Sequence, residues 1–91
     1  MFKEQHMGQL LDEKISSYLK EYVTTKDIVK TCKELKASYH TIRFVVNRTN
    51  PLSEKTAPII EKLMFVAVDN CGNIIKKANE QKRKFSKMIN V

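Results

Sequence analysis

The sequence predicts an all-α domain, a bundle of four or five helices with a long or broken C-terminal helix. Three observations carry that expectation. Apolar residues recur at steps of three and four along most of the chain. Only two glycines and two prolines punctuate 91 residues, too few for turn-rich β structure. Hydroxyl residues stand before three of the apolar stretches, where helix caps belong. The length fits one domain over 1–91, with a core in 8–70 and a basic C-terminal helix or tail in 71–91.

Residues 1–7 carry no pattern and are expected to fray. From Gly8 to Val23, Leu10, Leu11, Ile15, Tyr18, Leu19, Tyr22 and Val23 form one stripe, with Asp12, Glu13, Lys14 and Lys20 on the wet side. Thr24 to Asp27 offers a hydroxyl cap with an acid three positions on, which ends the first helix and starts the second. The second runs from about Asp27 to Lys36, with Ile28, Cys32 and Leu35 on one side. A small polar break at Ser38 precedes a third over Tyr39 to Arg48, with Ile42, Val45 and Val46 inward. Asn50-Pro51 stops it, because the residue before a proline is biased out of the α region. Ser53 or Thr56 caps the next helix, and Pro58 suits its first turn.

From Ala57 the stripe is Ile60, Met64, Ala67, Cys71, Ile74, Ala78, Gln81, Phe85 and Met88, a heptad spacing. Asp69-Asn70-Cys71-Gly72-Asn73 interrupts it. Two readings stand: one helix from Ala57 to about Ser86, or a break between Asn70 and Asn73 that makes five helices. The in-phase stripe favours the single helix. Leu63 to Val68 is apolar all round, so a helix there needs burial on more than one side, most simply against a second copy. Ile60, Met64, Ala67, Cys71 and Ile74 are the expected homodimer interface. The valines also allow a buried strand at 63–68.

Two short helices joined by a tight turn are the unit whose second helix can enter the DNA major groove. Ser38-Tyr39-x-Thr41-Ile42-x-x-Val45-Val46-Asn47, followed by Leu52-Ser53-x-Lys55-Thr56-x-x-x-Ile60, resembles the headpiece of the lactose-repressor family. That headpiece belongs to the wider lambda-repressor-like class of helix-turn-helix domains. The resemblance covers Lys30 to Leu63. It departs at Lys36, where the family has its turn glycine, at Cys32, which replaces a small alanine, and at Phe44, where a base-reading arginine is usual. No sugar-binding domain follows within the 91 residues. The resemblance implies sequence-specific binding of double-stranded DNA, with Thr41 and Asn47 on phosphates.

Charge agrees with a polyanionic partner. The net charge is +7, with residues 24–50 contributing +4 and residues 71–91 contributing +5, while the other segments are slightly acidic. Tyr39 and His40 lie on the exposed first turn of the third helix, with Arg43 one turn on. His40 and Arg43 can donate to guanine, and Tyr39 can meet a thymine methyl or hydrogen-bond. Ser38 can cap that helix and donate to a phosphate. Lys55 with Thr56 at a helix start forms a second candidate phosphate contact. Phe44 reads as core in preference to a surface aromatic. The tail cations Lys76, Lys77, Lys82, Arg83, Lys84 and Lys87 can follow a DNA backbone, but the same run serves as a solvated face, and with Phe85, Met88 and Ile89 it can touch an anionic membrane surface.

Other chemistry finds little support. Cys32 and Cys71 are far apart and on apolar stripes, and neither His6 nor His40 has a ligand-like neighbour, so reduced thiols of a cytoplasmic protein are expected, with no metal and no cofactor. The N-terminus lacks a signal peptide's apolar core, and the longest apolar run, Leu63 to Val68, is too short for a bilayer. No glycine-rich phosphate loop and no nucleophile with a base beside it occurs, so an enzyme is not expected, and no small-molecule effector is evident. The expected function is a small bacterial or mobile-element transcriptional regulator. The rival is a helical protein-interaction or scaffold module that no longer reads DNA.

Overall fold

The computed structural model describes residues 1–90 and is all-helical. A 3₁₀ turn at Glu4–His6 precedes α1 (Glu13–Tyr22), α2 (Thr25–Glu34), α3 (Tyr39–Val46) and α4 (Ala57–Ile89). No strand occurs among the described residues, so Leu63 to Val68 is helical.

α1 starts five residues later than the stripe implied, because Asp12 is its cap. The Asp12 carboxylate accepts from the backbone N–H groups of Lys14 at 2.8 Å and Ile15 at 3.3 Å. The preceding segment is drawn out by a different partner. Gly8, at φ +80, donates its N–H to the Leu52 carbonyl at 2.7 Å, and the Leu52 N–H donates to the Gln9 carbonyl at 2.8 Å. This pairing buries both Leu11 and Leu52 while leaving Leu10 half in water. Residues 1–7 are docked as well. Phe2 and Met7 pack on the core, and the Phe2 N–H donates to a Glu61 carboxylate oxygen at 3.1 Å.

Thr24 and Asp27 close the expected capping box at the start of α2. The Thr24 backbone N–H holds the Asp27 carboxyl below the usual carboxylate range, against the cost of partial burial and with help from the Thr24 hydroxyl and the Asn70 amide. Asn70 spans the corner, donating to the Tyr22 carbonyl at 2.8 Å and to Asp27 at 3.1 Å, and so ties α4 to the α1–α2 junction.

α2 and α3 end alike. After α2, Lys36 sits at φ +53 and the Ala37 N–H donates back to the Cys32 carbonyl at 2.8 Å. After α3, Arg48 sits at φ +60 and the Thr49 N–H donates to the Phe44 carbonyl at 2.8 Å. Both are left-handed closures in which a side chain stands where glycine is favoured. Arg48 offsets this with contacts: its Nε donates to the Leu11 carbonyl at 2.7 Å and its guanidinium pairs with Glu13 at 3.2 Å. Lys36 has no hydrogen bond or ion pair among the described residues. Lys36→Gly is therefore expected to stabilise the fold by about 0.5–1 kcal/mol, the relief of the left-handed backbone less glycine's extra freedom when unfolded. Urea denaturation checks this; a loss of stability would mean that the turn is not left-handed.

The core lies where the first half of α4 meets the other three helices. Leu19, Ile42, Val45, Leu52, Ile60, Leu63 and Ala67 are all at most 2% exposed. Ser16 is buried among them with its hydroxyl donating to the carbonyl of Val46, the last residue of α3, at 2.6 Å. Cys32 is buried, which pushes its thiol pKa up.

Past Cys71, α4 runs on with no neighbour, and every described residue from Gly72 onward is exposed. The chain is accordingly 58 Å long but only 25 and 20 Å across. The break allowed at Asp69–Asn73 does not occur. The expectation that Leu63 to Val68 is buried on more than one side needs correction. Leu63 and Ala67 are inside, but Phe65 and Val68 are 70% and 60% exposed. Among the described residues, no helix is long and apolar enough to cross a membrane.

Candidate nucleic-acid interface

The core stripe of α3 is Ile42, Val45 and Val46, and it fixes what the opposite side shows. A helix with those residues inward must turn His40, Arg43, Phe44 and Asn47 outward. All four are exposed, and Tyr39 is half-exposed at the edge. The Tyr39 phenol accepts a hydrogen bond from the Arg43 guanidinium at 3.1 Å, which also lies 6.0 Å from the ring centroid. The His40 ring meets the Tyr39 ring edge-on at 5.5 Å. Tyr39, His40 and Arg43 are thus one contiguous cluster, with a phenol O–H, an imidazole and a guanidinium facing solvent.

Ser38 begins α3, yet its hydroxyl caps nothing and stays free. Thr41 is exposed on one flank of the cluster, and Asn47 ends the helix on the other. Beside Tyr39 and Arg43 opens a cleft of about 180 Å³ with an apolar floor that includes Leu19, Val46 and Leu63. Lys20, Thr25 and Asn47 share its polar rim with Arg43. By spacing alone Lys20 is an ordinary wet-side residue of α1, and only the packing of α1 against α3 brings it here. On α2, Lys26, Lys30 and Lys33 are exposed around Val29, one turn apart on the outer face.

Three sequence assignments change. Phe44 is 46% exposed, out of phase with the core stripe and one turn after His40. Thr56 is buried and its hydroxyl is engaged with Ser53, whose N–H it accepts at 2.9 Å. Lys55 beside it is exposed, so only the lysine of that pair can meet a phosphate. The dimer stripe splits. Ile60 and Ala67 are fully buried within the chain, Met64 packs on its core, and Cys71 stands beside Tyr18 and Tyr22, whose phenol pKa values its thiol pushes up. Ile74 alone of the five is exposed. The apolar stripe was real but belongs mostly to this chain's own core. The tail cations are exposed, and five of them, Lys76, Lys77, Arg83, Lys84 and Lys87, fall within roughly 120° of the helix circumference, with Lys82 apart.

No family model, curated protein or solved structure matches this chain.

Proposed function

We propose that the chain is a small DNA-binding regulator of bacterial or mobile-element origin, working in the cytoplasm as a two-fold pair on double-stranded DNA. In this reading the domain is lambda-repressor-like, α2 and α3 are its helix-turn-helix, and α3 enters the major groove. One observation carries it: the outward side of α3 gathers hydrogen-bonding and aromatic groups, Tyr39, His40, Arg43 and Asn47, that the fold itself does not need. Base contacts fall to Tyr39, His40 and Arg43. Phosphate contacts fall to Ser38, Thr41, Asn47 and Lys55, with the α2 lysines fixing register. The rival reading, a protein-interaction module, draws on the apolar groups along the exposed flank and arm of α4.

Selection of bound duplexes from a random pool tests the proposal. The parent is expected to enrich one preferred site. Tyr39→Ala and His40→Ala are each expected to relax or change that site, at a cost of roughly 1–3 kcal/mol per lost base contact. Residual nonspecific binding should persist and melting temperatures should hardly move, since both side chains lie outside the core. A pool that enriches nothing at low salt favours the interaction module. Enrichment of the same site by parent and both variants would remove α3's first turn from the reading role.

A further inference from the structure

α4 turns one apolar stripe away from its own bundle. Phe65, Val68, Gly72 and Ile75 follow one another at steps of three, four and three, and so share a helix face. Ile60, Leu63 and Ala67, which hold the core, lie on another face. Gly72 sits mid-stripe in an unbroken helix, and a Cβ built there would meet nothing within 4 Å. Nothing inside the chain calls for glycine, one of the poorest helix formers, at that point. Asp69 and Lys76 edge the stripe on either side of Gly72. Both are exposed, and neither forms an ion pair among the described residues.

We infer that a second copy of this chain docks on this stripe, with the two α4 helices antiparallel and crossing between Gly72 and Asn73. The two-fold pair in the proposed function thereby gains a seam different from the one the heptad pattern implied. The argument is charge and shape. In an antiparallel pair, positions equally far before and after the crossing face each other. Asp69 then meets Lys76 of the second copy, and Lys76 meets its Asp69, so one two-fold axis satisfies both charges twice. A parallel pair would bring Asp69 level with Asp69 and Lys76 level with Lys76, and would leave both charges unmatched. The missing side chain at Gly72 lets the helix axes approach closely where they cross.

Sedimentation equilibrium of the full chain at micromolar concentration, with duplex titrations on the same samples, tests the seam. The parent is expected at twice the 10.6 kDa chain mass. Gly72→Leu is expected to keep or raise the melting temperature of dilute protein, since the position is open. The same substitution should weaken association at least about tenfold, or roughly 1.4 kcal/mol. Asp69→Lys and Lys76→Asp are each expected to weaken association, and the double exchange in one chain to restore it. A parent that stays monomeric, a Gly72→Leu that associates like the parent, or a double exchange no better than the singles would each overturn the seam. A monomer that still binds duplex would leave the DNA reading standing. A dimer that binds no duplex would support the seam and sink that reading instead.

Discussion

Leu63→Ala is expected to cost about 3–5 kcal/mol, the range for a fully buried leucine whose site cannot collapse. Leu63 is 0% exposed and sits on the helix that touches α1, α2 and α3, so the cavity would open between rigid elements. A chain of 91 residues has roughly 5–13 kcal/mol of stability in all. The variant should therefore melt roughly 15–30 °C below the parent, or be partly unfolded at room temperature. Phe85→Ala, on the same helix but beyond the bundle, should stay within about 0.5 kcal/mol of the parent. Urea titrations of both variants check the pair. Similar losses at the two positions, or a loss under about 1 kcal/mol at Leu63, would mean that α4 does not pack as described.

How much of this was legible depended on the range over which each signal acts. Thr24 and Asp27 are three residues apart, and their capping box was readable because both partners lie in one turn. Ile42, Val45 and Val46 gave the inward face of α3 from spacing alone. The same spacing turns Phe44 outward, but its apolar character outweighed its phase in the reading. The continuity of α4 through Gly72 was legible because the stripe stays in register on both sides of the glycine.

What was missed depends on contacts far apart in sequence. Nothing near Gly8 says that its N–H will go to Leu52, so the start of α1 was placed too early. Phe2 and Glu61 are 59 positions apart, and their hydrogen bond docks a segment that looked featureless. Ile60 and Ala67 show a deeper ambiguity. An apolar heptad states that a face is buried without stating whether the cover is the same chain or another. Thr56 fails for a local reason: a cap-competent hydroxyl next to Ser53 can satisfy that serine's backbone and have nothing left to offer outward.

Raising the salt from about 50 to about 200 mM is expected to weaken duplex binding roughly 500-fold, the largest effect the proposed function implies. Lys26, Lys30, Arg43, Lys55 and part of the tail supply about five neutralised phosphates, which sets a log–log slope of roughly −4 to −5. The placement of these groups lets the slope be divided. Lys26 and Lys30 stand on the rigid outer face of α2, whereas Lys82, Arg83 and Lys84 ride the exposed arm of α4. Replacing the three arm residues by Gln should weaken all sequences alike and make the slope shallower by the number of phosphates the arm reaches, between zero and three. Lys26→Gln with Lys30→Gln should flatten it by about two whatever the arm does. Titration of a labelled duplex at several salt concentrations reads all three slopes. A parent slope near zero would remove phosphate neutralisation altogether, and DNA with it. An arm triple that leaves the slope unchanged would confine the contact to the bundle and free the arm's cations from any role on the backbone.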